Sequence, residues 1–407
     1  MIGHIKIGVK EGTSPIGLSW ALDPTCGWGN YGTQICLHSA QSNLTAIPLG
    51  GALEDRLTKL QQTLLTSNIN ISRKIQAARA EKSLGLLKFD FPVLHAMDHR
   101  MAASQNFRGE TNIGLIFFEG SRLSAEAIES AKQFEFIVAG SNWNAQVMRE
   151  QGIENVETIV QGIDPTLCHP APRSGLFGDR FVVFSGGKLE HRKGQDIVVA
   201  AFRAFCREHP DALLVCSWHN HWPRLMQSIG QAGHVSGPPP ADQNGKIYIQ
   251  QWLESNGIPR QNVLDMGLVP NHMMAGIMRE ADVAVFPNRA EGGTNLVAME
   301  CMASGVPSII AANTGQLDLI DQSADGQHCL ILEDQSPVES SPGFSGTEGW
   351  GESDPVELLD KLEYAYQNRD KLPQIGASAA QFMQKWTWQN QIHALNDSLS
   401  KIGCLVG

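Results

Sequence analysis

Short runs rich in Val, Ile and Leu alternate along this chain with longer stretches of helical periodicity, and that alternation restricts the fold more than any single residue does. Strands apolar on both faces need cover on both faces, which crossover helices supply when the strands run parallel. The first half predicts strands at HIKIGV (4–9), LTAIPLG (44–50), FPVLHAM (91–97), NIGLIFFE (112–119), FEFIVAGS (134–141) and VETIVQG (156–162), with helices at SAEAIESAKQF and SNWNAQVMREQG. CHPAPRSGLFGDR (168–180), dense in Pro and Gly, reads as a linker. Beyond it the alternation restarts with RFVVFSGG, DALLVCSW, NVLDMG, DVAVFPN, VPSIIAA and HCLILE, and the chain closes on helices from about Asp354. The expected fold class is α/β, with two Rossmann-like doubly wound domains in series. The stretch 334–355, rich in Ser, Pro and Gly, is expected to be a surface loop.

With 407 residues the chain exceeds one ordinary core, in keeping with two domains. A net charge of -11 argues against a general attraction to nucleic acid or anionic lipid, so any anion site must be local. The eight cysteines form no C-x-x-C pair and read as free thiols of a reducing compartment. MIGHIKIGVKEG has no long apolar core, and no run of 18 or so apolar residues occurs, so neither a signal peptide nor a transmembrane segment is expected. The expected location is cytoplasmic, with a peripheral place at the membrane left open.

Three stretches carry chemistry. In CGWGNYGTQICLHSA, Gly27, Gly29 and Gly32 fit G-x-G-x-x-G, with a helical pattern from about Thr33, so backbone amides and a helix start can approach a diphosphate. Glu54 and Asp55 follow at a distance suited to a ribose, so an NAD-dependent oxidoreductase stays open, although Pro24 interrupts the approach to the first glycine. A tight turn without function also fits. In FSGGKLEHRKGQD, Lys188, Arg192 and Lys193 bring cations to the carboxyl end of a strand, where open α/β sheets bind ligands; a solvated basic turn is the alternative. In AEGGTNLVAMECMASGVPSII, Thr294 or Asn295 caps a short apolar helix that Gly305 and Pro307 terminate. Glu300 lies within that helix, where an unpaired carboxylate is costly, so it needs either a protein cation or a guest that donates hydrogen bonds. His95 and His99, or His219 and His221, suggest a metal, but neither pair has a third ligand nearby.

Taken together, GGKLEHRKGQD, VLDMGLVPNHMMAGIMREADVAVFPN and EGGTNLVAMECMASGVP resemble the donor-binding half of the retaining glycosyltransferases of family 4. FIVAGSNWNAQVMREQGIENVETIVQGIDPTLCHP is similar to the end of that family's first domain and its linker. The resemblance implies a GT-B fold, two Rossmann-like domains facing a cleft. They would be an acceptor-binding domain at 1–172, a nucleotide-sugar-binding domain at 173–380, and a helical segment at 381–407 returning to the first. It implies transfer of a sugar from a nucleoside-diphosphate sugar, UDP favoured and GDP or ADP open, to a glycan, lipid, protein or small molecule. No metal, other cofactor or nucleic acid is implied. By motif, Lys193 and Lys188 would grip the diphosphate, Lys188 standing where arginine is usual, and Glu291 would face the sugar. Glu300 would hold the ribose and Val269 would lie beside the base. Gly187 and the loop Gly292, Gly293, Thr294, Asn295 and Leu296 would line the donor site, with Gly27 and Gly29 contributing from the first domain. Eight residues (292–299) separate the two glutamates where seven is usual, which displaces Glu291. The family's first-domain histidine has no direct counterpart, and Glu119 or His95 would take its place. A nucleotide-sugar-binding protein without turnover would keep Glu300 and Lys193 as well.

Overall fold

The computed structural model describes residues 2–4, 12–39, 43–81, 85–220, 222–320, 327–341 and 343–403. They form two compact units: Met1–Phe118, Leu123–Gly162 and Trp386–Gly407 make the first, and Glu119–Arg122 with Ile163–Lys385 the second.

The first unit runs β1 (Ile2–His4), β2 (Ser14–Leu18), α1 (Gly27–Ser39), β3 (Leu44–Pro48), α2 (Lys59–Leu64), α3 (Thr66–Glu81), β4 (Leu86–Lys88) and β5 (Val93–Ala96). It continues through β6 (Phe107–Arg108), β7 (Asn112–Ile116), α4 (Ala125–Ala131), β8 (Ile137–Ala139), α5 (Asn142–Glu150) and β9 (Val156–Thr158). Its main sheet has the order β3-β2-β5-β7-β8-β9 with every pair parallel, and β1-β4-β6 form a small second sheet. The strand expected at 4–9 lies outside the described residues except for His4, which belongs to β1. The inner strand is instead β2, unforeseen because SPIGL carries a proline, Pro15, at its second position. The register explains its tolerance: Pro15 pairs only with Thr45 of β3, and β5 joins on the other side from Gly17 onward. α4 and α5 are capped by Ser124 and Ser141, each hydroxyl accepting the N–H three residues on at 3.1 Å.

The second unit runs β10 (Phe181–Lys188), α6 (Gln195–Glu208), β11 (Ala212–His219), α7 (Pro223–Met226), α8 (Ile249–Ser255), β12 (Val263–Asp265), α9 (Asn271–Met278) and β13 (Val283–Phe286). Then come α10 (Leu296–Ala303), β14 (Ser308–Ala311), β15 (Leu330–Leu332), β16 (Gln335–Pro337), β17 (Gly351–Ser353), α11 (Pro355–Gln367) and α12 (Leu372–Met383). The six-stranded parallel sheet β12-β11-β10-β13-β14-β15 buries both faces, with Phe181, Val183, Phe202, Phe205, Leu214, Trp218 and Trp252 in one core. Residues 334–355 are more than a surface loop: β16 and β17 pair antiparallel, and Trp350 is buried with its indole N–H donating to the Glu119 carbonyl at 2.8 Å.

The chain leaves the first unit after Gly162, earlier than the Pro/Gly-rich segment suggested. That segment lies on the second unit instead, where Arg279 donates to the carbonyls of Leu167 and His169 at 3.1 and 3.2 Å. The carboxylate of Glu280 receives the N–H groups of Gly175 and Leu176 at 3.0 Å. The last helix, α13 (Trp388–Lys401), belongs to the first unit, with Trp388 buried against Tyr31 of α1, ring centroids 5.0 Å apart. A Cβ at Gly162 would lie 2.4 Å from the Trp388 nitrogen, so that position is confined to glycine. Trp388→Ala should therefore lower the stability of the first unit by about 3–5 kcal/mol, as a shift of its urea midpoint. A shift within 0.5 kcal/mol or so would mean that α13 is not part of that core.

Candidate active site

Within the second unit, the carboxyl ends of β10 and β13 deliver the charged residues to one place. β10 ends on Gly187 and Lys188, and the chain then makes a 3-10 turn, His191–Lys193, before Gly194 opens α6. Gly194 has φ +69°, and a Cβ there would lie 2.1 Å from the Pro287 carbonyl, so the turn passes directly against the loop after β13. Across that contact Arg289 donates its backbone N–H to the Arg192 carbonyl at 2.7 Å. The Arg289 guanidinium, fully buried, makes paired bonds of 2.8 and 2.7 Å to the equally buried Asp196 of α6, donates to the His191 carbonyl at 2.6 Å and reaches Glu352 of β17 at 3.0 Å. Burial pushes Glu352 up, but hydrogen bonds from His234 and Arg289 outweigh it and hold the carboxyl at about 2.

This frame brings Lys193 and Glu291 together. Glu291 accepts from Lys193 Nζ and Asn288 Nδ2, and from Arg192 NH1 at 3.2 Å. Its backbone N–H donates to Thr314 Oγ1 at 2.8 Å, and its carbonyl accepts from Gly315 at 3.0 Å. Burial raises the Glu291 pKa, yet Lys193 and Arg192 overcome that and leave it below the ordinary carboxylate range. Burial lowers Lys193, with Glu291 opposing the shift. Glu119 joins the same group through Arg192 NH1 at 3.3 Å, and burial holds its carboxyl above the usual range despite that cation.

Asn295 is the cap residue of α10: its side chain accepts from Ala298 N–H and its amide donates to Gln316 at 2.9 Å. Its φ of 63° is left-handed, a conformation Asn tolerates better than most residues, whereas Gly292 and Gly293 have no positive φ. Thr294 is buried with its hydroxyl on Met299 Sδ at 2.9 Å, and the N–H groups of Leu296 and Val297 head the helix before its first bond, Met299 N–H to the Asn295 carbonyl. Glu300, in the second turn, is 8% exposed, and among the described residues its carboxylate accepts one hydrogen bond, from Asn271 Nδ2 of α9 at 3.1 Å. Among the described residues no ion pair reaches it. Burial, with a smaller contribution from Asp164 and against the Asn271 bond, pushes its pKa up to about 7. Val269 lies half-buried two residues before Asn271.

Other expected residues lie elsewhere. Lys188 is exposed, with Nζ 4.7 Å from the Trp222 ring centroid, so it does not share the Glu291 contact. Gly187, with φ +132°, has open space where a Cβ would sit. His95 is a core residue of the first unit: its Nε2 bonds Asn112 at the amino end of β7 at 2.9 Å, its ring packs on Phe134, and burial lowers it to about 4. That is the wrong end of the sheet for ligand chemistry, which corrects the expectation for His95. The glycine motif also differs from the expected loop, since α1 begins at Gly27 rather than near Thr33. A Cβ on Gly29 would lie 2.2 Å from the Asp23 carbonyl and one on Gly32 2.6 Å from the Trp20 indole nitrogen, so close packing accounts for both glycines. Glu54 is taken up by an ion pair with Arg73. His221 lies outside the described residues, and no group of three or more His, Cys, Asp or Glu among the described residues is placed to hold a metal ion. Also among the described residues, no helix is long and apolar enough to cross a membrane. Sequence reading missed Glu190, Asn271, Asn288, Arg289 and Asp196 as parts of the site or its frame; Arg289 and Asp196, 93 positions apart, carry no local signal of their pairing.

Residues 171–330, which hold most of this site, match the family model described as glycosyl transferases group 1. A D-inositol 3-phosphate glycosyltransferase of Catenulispora acidiphila is 26% identical over 273 residues, 66% of this chain and 57% of that protein. One from Acidothermus cellulolyticus is 24% identical over 62% of this chain and 53% of its own length. The chain thus spans little more than half of these curated relatives. Among solved structures, sucrose-phosphate synthase from Thermosynechococcus elongatus superposes with a TM-score of 0.62 at 15% identity, covering 96% of this chain and 99% of that one. Anabaena HepE in complex with UDP-glucose gives 0.60 at 15% identity, covering 95% and 99%. The fold is GT-B. In this GT-B chain the matched segment includes the Lys193, Glu291 and Glu300 positions and excludes Glu119.

Glu300 yields a prediction about the unliganded protein. Its folded pKa of about 7 lies above the ordinary 4.5, so the folded state favours the neutral acid; that stabilisation is complete below about pH 4.5 and is lost as pH rises through 7. Glu300→Gln removes the loss, and at pH 8 it should be more stable than the parent by on the order of 1–3 kcal/mol, with the difference vanishing near pH 4.5. Equal thermal midpoints at both pH values would mean that Glu300 has a cationic partner.

Proposed function

We propose that this protein is a glycosyltransferase that moves a sugar from a nucleoside-diphosphate sugar to an acceptor hydroxyl, with retention of anomeric configuration and without a metal ion. The observation that carries the reading is the convergence, in one unit, of Lys193, Glu291, the head of α10 and Glu300, which no cation among the described residues pairs. Glu300 would accept the two ribose hydroxyls, an arrangement in which a buried carboxylate is satisfied only by its guest. Lys193 would leave Glu291 for the diphosphate, joined by Lys188 and the amides heading α10, and Glu291 would turn to sugar hydroxyls. Val269 would lie beside the base. The names of the similar proteins, which include a UDP-glucose complex, support a nucleotide-sugar donor.

As the bond to the sugar breaks, negative charge builds on the β-phosphate, where a fixed ammonium stabilises it better than water does. With lysines and backbone amides for that task, and no Asp-x-Asp sequence in the chain, the diphosphate needs no divalent ion. No carboxylate in the donor motifs stands out as a nucleophile for a two-step route, which favours departure and attack on one face of an oxocarbenium-like sugar. The cytoplasm, where nucleotide sugars are made and thiols stay reduced, suits this activity.

A thermal-shift panel of UDP, GDP, ADP and NAD names the nucleotide, since a ligand at 100 times its Kd stabilises by about 2.7 kcal/mol. A response to NAD alone would sink the reading. With the donor known, Lys193→Ala should lower kcat by on the order of 100-fold while KM changes less. Activity should survive EDTA, and NMR of the product should show the donor's anomeric configuration. Loss of activity on chelation, restored by magnesium, would overturn metal independence, and an inverted product would overturn retention. Donor binding with no turnover against any acceptor, and no donor hydrolysis, would identify a sensor instead.

A further inference from the structure

Arg192 stands inside a ring of carboxylates that the reading above uses only in part. Its NH1 lies 3.3 Å from Glu119 and 3.2 Å from Glu291, and its NH2 lies 2.6 Å from Glu190. The side chains of Arg192, Glu190 and Glu291 are 9, 7 and 6% exposed and that of Glu119 21%, so water screens the centre of this group poorly. Three carboxylates face two cations, Arg192 and Lys193, which leaves one negative charge in excess before any ligand arrives. Once Lys193 turns to a diphosphate, Arg192 is left as the cation beside Glu119 and Glu190.

Glu190 is not needed to build the turn it opens. The Arg289–Asp196 pair and the backbone bond from Lys193 N–H to the Glu190 carbonyl, 2.9 Å, already hold that turn. Its carboxylate and that of Glu119 therefore stand beside Arg192, near Lys193 and Glu291, without being taken up in building that turn. Surplus buried carboxylates are tolerated where hydrogen-bond donors meet them, and a pyranose bearing hydroxyls supplies such donors. A sugar with a carboxylate of its own brings a further anion into the same poorly screened space.

We infer that the site takes donors whose sugar is an uncharged, hydroxyl-rich hexose and rejects hexuronates, and that Glu190 and Glu119 set this selectivity. The inference rests on the donor reading above. The test is calorimetric titration of the full chain with UDP, UDP-glucose and UDP-glucuronate, or with GDP, GDP-mannose and GDP-mannuronate if the guanosine nucleotide is the one bound. The neutral sugar should not weaken binding relative to the bare nucleotide, and the uronate should bind on the order of 10-fold or more weaker than its neutral counterpart. Glu190→Gln, which keeps the shape and removes the charge, should narrow that gap at least several-fold; Glu119→Gln is the parallel variant should the first fail to fold. Equal affinity for the two sugars, or a gap that neither variant narrows, overturns the inference while leaving the donor reading in place. Failure of UDP, GDP and ADP alike to bind would instead overturn the donor reading and this inference together.

Discussion

The buried pair between Arg289 and Asp196 is the constraint on which the site of the second unit depends. Both side chains are fully inaccessible, and their paired hydrogen bonds of 2.7 and 2.8 Å join the loop after β13 to the first turn of α6. Desolvating two charges is costly, and the geometry offsets that cost because the remaining guanidinium donors also find acceptors, the His191 carbonyl and Glu352. Such a pair adds little net stability over an apolar substitute, but removing one partner leaves a buried charge uncompensated, so the alternatives are strongly disfavoured. Its effect is positional. It fixes the turn His191–Lys193 against the loop that carries Glu291, and through Glu352 it ties the β16–β17 hairpin to the same place.

Two acidic residues of α10 and its preceding loop show opposite treatments of a buried charge. Glu291 is compensated from within, by Lys193, Arg192 and Asn288, and it stays ionised. Glu300 meets, among the described residues, a single neutral donor, Asn271, so burial dominates and raises its pKa to about 7. The first arrangement pairs the Lys193 ammonium with the Glu291 carboxylate inside the protein. The second leaves a desolvated carboxylate whose ionisation costs stability as pH rises.

Much of the architecture was legible because it depends on local chemistry. The parallel strands of the second unit follow from runs such as RFVVFSGG and DALLVCSW, which coincide with β10 and β11 to within a residue or two. The bounds of α10 follow from Asn295, Gly305 and Pro307, whose backbone preferences act within a few residues. Reading failed where a neighbour far along the chain decides. SPIGL is a strand because β3 lies beside Pro15 and β5 begins only at Gly17. The glycines at 27, 29 and 32 fall within a helix rather than before one, since two of them answer to Asp23 and Trp20. Residues 334–355 form a hairpin because Trp350 finds cover and a carbonyl partner at Glu119.

By itself, then, the sequence determined the α/β alternation, the helix caps and stops, and the placement of Lys193, Glu291 and Glu300 just after a strand, before a helix and within it, because periodicity and capping are properties of neighbouring residues. Only the tertiary structure decided which charges meet. Lys188 and Lys193 stand five positions apart with the same charge, yet one rests on Trp222 and the other on Glu291. His95 looked as available as Glu119, yet its ring turns to the amino end of the sheet, while Glu119 reaches Arg192. Coulomb energies and desolvation depend on distance and burial, and these are fixed when strands far apart in the chain are brought side by side.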